Sequence, residues 1–274
     1  MIDGSYENAN RNFWDELADL HFSSKYYDVN LFKKNRCSLL SIEKEELGSI
    51  CGKKLLHLQC HFGMDSLSLT QLGANVTAAD FSERAISLAK RLSLEMNIDA
   101  KFILSSVEEL PKNLEGKFDI IFTSYGVLTW LESLQKWAKT ISHFLKKGGF
   151  FYIIDEHPFA RTFSNPTIDG VNIGPTPTFP YASSGTPYQA NYKHSYADSK
   201  SEIRHQNQYI WPHSMAEIIN SLVMSGLEIT FLHEFHKSFY PMFANMQQDK
   251  EGWWHLKQYA EVIPLVFSLK AYKK

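Results

Sequence analysis

The sequence predicts a doubly wound α/β fold with a mostly parallel sheet of seven strands, and three observations carry that prediction. From residue 54 onward short apolar runs alternate with helix-period segments, as parallel strands joined by crossover helices require. The run Phe118 to Ser124 (FDIIFTS) is dominated by apolar residues, as in a central strand covered on both faces. Near the end, His236 to Glu261 contains Pro241 and Gly252 without a steady period, which leaves no room for a crossover helix and makes the last two strands an antiparallel pair.

The elements follow in order. Lys54 to Gln59 (KLLHLQ) is the first strand, followed by a short helix over Asp65 to Leu72 that Gly73 stops. Asn75 to Asp80 is the second strand. Ser82 then caps a helix in which Ala85, Ile86, Ala89 and Leu92 recur with a period near 3.6. Lys101 to Leu104 is a brief third strand, Phe118 to Ser124 the fourth, and Ser133 to Leu145 the next helix. Lys146 to Gly149 turns the chain into the fifth strand, Phe150 to Asp155. The pattern then stops for about fifty residues rich in Pro, Gly, Ser, Asn and Tyr, far beyond an ordinary connection, which suggests a functional insertion. It resumes with a helix from Ser214 to Ser225, stopped by Gly226, and the strands Glu228 to Phe235 and Val262 to Ala271. This divides one globular unit into an N-terminal cap (1–50), a ligand-binding half of the sheet (51–156), an insertion covering the site (157–213) and a segment completing the sheet (214–274).

With 274 residues, 44% of them hydrophobic, the chain can bury a sizeable core as one elaborated domain. A formal charge of -2 gives no electrostatic reason to bind polyphosphate, so nucleic acid is disfavoured as a partner. Cys37, Cys51 and Cys60 form an odd, unpatterned set, and the opening MIDGSYENANRNFW has neither a basic start nor an apolar signal core. Both point to a reducing cytoplasm. No run approaches the roughly 20 apolar residues that span a bilayer, so no membrane association is expected.

In an open doubly wound sheet a ligand sits beyond the carboxyl ends of the strands, near the reversal of strand order. The loop Gln59-Cys60-His61-Phe62-Gly63-Met64-Asp65 follows the first strand, and Gly63 fits the position where a Cβ would block a tight strand-to-helix turn. Asp80 ends the second strand, where a carboxylate can accept both hydroxyls of an adenosine ribose. A dinucleotide needs a glycine-rich turn for its pyrophosphate, yet Gln59 and His61 stand where small residues would be wanted. S-adenosylmethionine carries no phosphate and escapes that requirement.

The stretch LLHLQCHFGMDSLSLTQLGANVTAADFS resembles the first two cofactor motifs of the class I S-adenosylmethionine-dependent methyltransferases, which are Rossmann-like, and in particular a bacterial subgroup with a HLQCHFG form of the glycine loop. FILSSVEELP resembles the adenine-contacting segment, FDIIFTSYGVLTWL the fourth-strand motif, and LKKGGFFYIIDEHPF the fifth strand. NRNFWDELADLHFSSKYYDV and GWWHLKQYAEVIPLVFSLKA are similar to terminal segments of that subgroup. The resemblance implies that Gln59, Cys60 and Gly63, with Met64 and Asp65, line the methionine moiety, that Asp80 holds the ribose beside Ser82, and that Phe81 packs on the adenine. Ser106, Val107 and Glu108 would edge the base. Family members commonly carry an acid where His57 stands and an Asp near Ser106. Ser124 and Tyr125 are the candidates to supply the missing contacts through backbone carbonyls.

Several residues admit two readings. His57, Cys60 and His61 lack the spacing of a closed zinc site, so no metal is expected; His57 is read as packing. Glu156 or His157, at the end of the fifth strand, is the candidate to take a proton from an acceptor, against a hydrogen-bonded corner fixed by Pro158. His21, Tyr26 and Tyr27 form either a lid over the cofactor or an ordinary cap. Tyr181, Tyr188, Tyr192, Tyr196 and Tyr209, with Trp253 and Trp254, either line an acceptor pocket or bury the insertion against the sheet. Arg161, Arg204, His205 and His213 either bind an acidic acceptor group or face solvent.

The functional expectation is methyl transfer from S-adenosylmethionine to an O, N or C nucleophile. Ser124-Tyr125-Gly126-Val127 replaces the Asn/Asp-Pro-Pro-Tyr/Phe motif of enzymes that methylate nucleic acid bases and glutamine, which favours a small-molecule acceptor. A tRNA or rRNA methyltransferase is the alternative within the class. A non-catalytic S-adenosylmethionine-binding protein and an NAD(P)-dependent oxidoreductase are the alternatives outside it.

Overall fold

The computed structural model describes residues 5–165, 167–168, 171–172, 174–183, 185–198 and 200–274. Residues 1–4 of the expected N-terminal cap, and 166, 169–170, 173, 184 and 199 of the long insertion, lie outside the described residues. The central sheet contains β1 (Lys54–Leu58), β2 (Asn75–Asp80), β3 (Lys101–Leu104), β4 (Phe118–Ser124), β5 (Leu145–Glu156), β6 (Leu227–Phe235) and β7 (Val266–Lys273). Its strand order is β6-β7-β5-β4-β1-β2-β3. β1 pairs in parallel with β2 and β4, and β7 runs antiparallel to both β5 and β6. The predicted fold class, including its antiparallel C-terminal strand, is the observed one.

Eight helices accompany the sheet among the described residues: α1 (Ser5–Ser23), α2 (Val29–Asn35), α3 (Ser41–Leu47), α4 (Met64–Gln71), α5 (Glu83–Met96), α6 (Leu110–Asn113), α7 (Leu134–Phe144) and α8 (Met215–Met224). Side chains alternate across each strand, so successive residues enter different layers. Leu55, Ala78, Ile120, Phe122 and Ile154 join the core under α4 and α5. Leu56, Leu58, Ile121, Phe151 and Ile153 join the core under α7 and α8. Trp137, on α7, is fully buried in that second layer, and truncating it to Ala costs about 3–5 kcal/mol.

Local chemistry sets the helix starts. The Ser82, Ser133 and Ser214 hydroxyls accept from the backbone N–H groups of Ala85, Lys136 and Glu217 at 3.0, 3.3 and 3.2 Å, satisfying donors that a first helical turn leaves unpaired. The expected turn at Lys146 to Gly149 is absorbed into β5 as a register shift, with Phe118 opposite Leu145 but Ile120 opposite Phe150. Gly149 is needed there because a Cβ would stand 2.8 Å from the Asp119 carbonyl oxygen. β7 starts at Val266, later than the expected Val262.

The irregular segments are built from small antiparallel pieces. Tyr188–Asn191 pairs with Asn207–Ile210, and the latter is tied to α1 by Asn10, whose amide donates to the Tyr209 carbonyl at 2.8 Å and accepts from its N–H at 2.9 Å. A three-stranded ribbon of Lys237–Ser238, Trp254–Leu256 and Met246–Gln248 fills the span between β6 and β7. No described helix is long and apolar enough to cross a membrane.

Candidate active site

β1, β2 and β4 deliver their carboxyl ends to a cavity of about 580 Å³, the place the strand-order reversal selects. Gln59, Cys60, Gly63, Met64, Asp65, Asp80, Phe81, Ser124, Tyr125 and Tyr27, all expected there, line it. Gly63 has φ +81°, and a Cβ would lie 2.7 Å from the Phe102 ring, so both conformation and space demand glycine. Gln59 and His61 also adopt positive φ, 57° and 50°. The turn thus keeps a glycine-like backbone at two non-glycine positions, at a cost of about 1–2 kcal/mol each. Contacts of both side chains hold it: the Gln59 amide donates to the Val127 carbonyl at 3.0 Å, and His61 Nε2 lies 3.0 Å from His21 Nδ1.

Asp80 organises the floor. Its two carboxylate oxygens accept from the N–H groups of His61 at 2.8 Å and Ser82 at 2.9 Å, which fixes the loop after β1 relative to the start of α5. Burial raises its pKa to about 6, although those N–H donors pull it back. Asp65, in the first turn of α4, accepts from the Ser38 hydroxyl at 2.5 Å and the Ser124 hydroxyl at 2.9 Å, and burial raises its pKa too. A carboxylate therefore occupies the helix start that a dinucleotide fold reserves for phosphate.

His57 packs as expected, 2% exposed with its ring centroid 5.0 Å from that of Phe122, and it also lines the same cavity. Its Nδ1 lies 2.8 Å from the Ser66 hydroxyl, while Nε2, like the Gln59 carbonyl oxygen, is buried without a partner among the described residues. Burial lowers the His57 pKa to about 3, so the ring is neutral. Among the described residues no group of three His, Cys, Asp or Glu side chains is placed to hold a metal ion.

Other expected contacts fall outside this cavity. His21 is fully buried behind it, with Nε2 2.9 Å from the Ser195 hydroxyl, and thereby joins α1, the loop after β1 and the insertion. Ser82 is spent on capping α5 and on an Asp15 contact of 2.6 Å. β3 is short, and the chain turns away after it: Val107 packs in the α7 layer, Ser106 Oγ accepts from the Glu109 N–H, and Glu108 pairs with Lys136 at 2.9 Å. His157 is also turned away, since strand alternation sends it to the face opposite Glu156. Its Nε2 lies 2.7 Å from Glu234, its Nδ1 accepts from the Phe159 N–H at 3.1 Å, and it lines neither cavity.

A second cavity, of about 450 Å³, adjoins the first and shares Trp14, Tyr125, Gly126, Trp130, Tyr196 and Phe239 with it. Glu156 and Arg161 line it as an ion pair, and so do Tyr181, Tyr188 and Tyr192 of the insertion. Tyr209 is packed instead against Tyr6, 4.4 Å between ring centroids, and Trp253 is fully buried in the core. Arg204 and His205 bind Glu16 through their N–H groups, at 2.8 and 3.0 Å. The shared wall is fixed from below by Asp155, which accepts from the N–H groups of Gly126, Val127 (3.3 Å) and Leu128 (3.2 Å). Asp155 and Asp65 each tie separate segments of this site together. Neither role shows in sequence, because their partners lie in distant segments.

A strand order with one antiparallel strand next to β5, and a chamber at Gly63 and Asp80, define a doubly wound α/β domain of the Rossmann-like class. Residues 56–153 match the model of a methyltransferase domain family. The ubiquinone biosynthesis O-methyltransferase of Pseudomonas aeruginosa (strain UCBPP-PA14) is 24% identical over 161 residues, 58% of this chain and 65% of that protein. Its counterpart in Nitrosococcus oceani is 31% identical over 118 residues, 42% of this chain and 50% of that one. The chain thus spans about half to two thirds of the length of these curated relatives. Among solved structures, an S-adenosylmethionine-dependent methyltransferase from Mesorhizobium loti superposes with a TM-score of 0.56 at 18% identity, covering 85% of this chain and 98% of that one. Another from Clostridium acetobutylicum ATCC 824 gives 0.54 at 15% identity, covering 97% and 98%. At such identities the likeness concerns the fold.

Proposed function

We propose that this protein is a methyltransferase that takes its methyl group from S-adenosylmethionine and delivers it to a small-molecule acceptor. The observation that carries this reading is the pair of adjoining chambers with a shared wall, one built around Asp80 and Asp65, the other lined with aromatic rings. The first chamber suits a phosphate-free, positively charged cofactor. Asp80 would hold the ribose hydroxyls, Phe81 would cover the adenine, and Gln59, Cys60, Gly63, Met64 and Asp65 would surround the methionine end. The unpartnered Gln59 oxygen and His57 Nε2 are polar atoms that such a ligand would satisfy.

When bound, S-adenosylmethionine supplies an electrophilic methyl group. The protein then contributes alignment and exclusion of water, through the aromatic wall at Tyr125 and Trp130. Glu156 is the carboxylate on the acceptor side, and its Oε1 lies 3.6 Å from where a Cβ on Gly126 would stand, beside the shared wall. It would take the proton of a protonated acceptor. The sequence relatives named for ubiquinone biosynthesis support a small-molecule acceptor over RNA. The reading is tested by incubating the protein with methyl-labelled S-adenosylmethionine and a metabolite extract, followed by mass spectrometry. A labelled small molecule that requires the protein supports it; label in RNA alone, or in nothing, refutes it.

A further inference from the structure

The second chamber holds a combination that packing alone does not explain. Tyr181, Tyr188, Tyr192 and Tyr196 line it while keeping 42–49% of their surface uncovered. Large aromatic surfaces left bare and clustered in one concavity mark a ligand site more than a core. Among the described residues lining that space, two carry opposite full charges, Glu156 and Arg161, and they are paired with one another.

The pair is unequal in what it leaves over. The Glu156 side chain is only 9% exposed, whereas Arg161 keeps 33%, on the chamber side. Arg161 Nη1 donates to Glu156 Oε2, and among the described residues Glu156 is its one hydrogen-bond acceptor. A guanidinium has five N–H donors in a planar fork, so donors on Nε and Nη2 remain for something entering the chamber. Burial opposes its charge, yet Glu156 raises its pKa above the usual arginine value, so it stays cationic at any working pH. A cationic acceptor would meet this fixed positive group at close range, and a neutral one would leave its donors unanswered.

We propose that the second chamber selects a planar aromatic acceptor bearing a carboxylate or comparable acidic group, with Arg161 as the residue that reads the acid and the insertion tyrosines as the surfaces that hold the ring. The inference rests on the methyltransferase reading only in naming this ligand the acceptor; the ligand preference itself follows from the chamber.

Three probes of one shape test it: 2-naphthoate, 2-naphthylmethanol and 2-naphthylmethylamine, titrated calorimetrically into the full chain with and without S-adenosylhomocysteine. The carboxylate should bind about tenfold or more tighter than the alcohol, the yield of one charge-assisted hydrogen bond, and the amine weakest. Arg161→Gln should erase the preference while leaving S-adenosylhomocysteine affinity in place. Glu156→Gln, which frees Arg161 without removing it, should tighten 2-naphthoate binding and covers the case in which Arg161→Gln does not fold. Undetectable 2-naphthoate binding, equal or tighter binding of the alcohol or amine, or a folded Arg161→Gln protein that keeps the preference overturns the proposal. Failure of S-adenosylhomocysteine to bind is read in a separate titration and counts against the methyltransferase reading instead.

Discussion

His21 Nδ1 lies 3.0 Å from His61 Nε2, and through this contact α1 is fastened to the strained turn after β1. Both rings are neutral at pH 7, since burial lowers the pKa of His61 to about 3 and that of His21 well below its ordinary value. The contact is a pin between the N-terminal cap and the cofactor loop. Replacing His21 with Ala takes away the partner of the half-buried His61 ring and of the buried Ser195 hydroxyl, at a cost of about 1–3 kcal/mol. Amide hydrogen exchange should rise over Ser5–Ser23 and over Gln59–Gly63, while β4 and β5 keep their protection. Uniform protection across α1 in the variant would show that the pin is dispensable.

Asp155 offers a second test of how the site is held. It is 3% exposed, and its carboxylate gathers the N–H groups of the segment that forms the wall between the two chambers. Asp155→Ala strands those donors in a buried place and should destabilise the protein by about 3 kcal/mol. Denaturant unfolding measures the loss. A change under about 0.5 kcal/mol would mean that the wall is held by other contacts.

The fold was legible where local pattern decides it, and the site where one residue type answers one constraint. The bounds of β2, β3 and β4, the caps at Ser82 and Ser214 and the need for Gly63 follow from periodicity, hydroxyl chemistry and a crowded turn. α1 was harder, since Phe13 and Leu17 face the insertion while Ala18 faces the sheet layer, which blurs a one-sided apolar stripe. The left-handed backbone at Gln59 and His61 carries no sequence signal, because the residues that hold it, Val127 and His21, are remote. Glu156 and His157 are adjacent and equally plausible as bases in sequence; strand alternation separates them, and it is Glu156 that faces a chamber.

His57 makes the pH behaviour testable. Its folded pKa is about 3 because of burial, against about 6.5 in an unfolded chain. Such a depressed value gives a contribution that is complete above the unfolded pKa and is lost as pH falls, because the unfolded chain takes up a proton that the fold refuses. His57→Gln removes this one titration. Going from pH 7.5 to pH 5 should therefore cost the wild type about 2 kcal/mol more than the variant. Asp80 and Asp155, raised to about 6 by burial, act with the opposite sign, but they do so in both proteins and cancel in the difference. Unfolding free energies at the two pH values check this, and parallel pH dependences would contradict it.

The central claim is that the chamber over Asp80 binds S-adenosylmethionine and not a dinucleotide, and calorimetric titration with S-adenosylhomocysteine, NAD and NADP tests it most directly. The wild type should bind S-adenosylhomocysteine at one site per chain and show no comparable affinity for either dinucleotide. Asp80→Ala should weaken that binding by about 1.5–3 kcal/mol through loss of charge-assisted hydrogen bonds. Tighter binding of NAD or NADP, or an Asp80→Ala protein that folds and binds S-adenosylhomocysteine unchanged, would contradict the account.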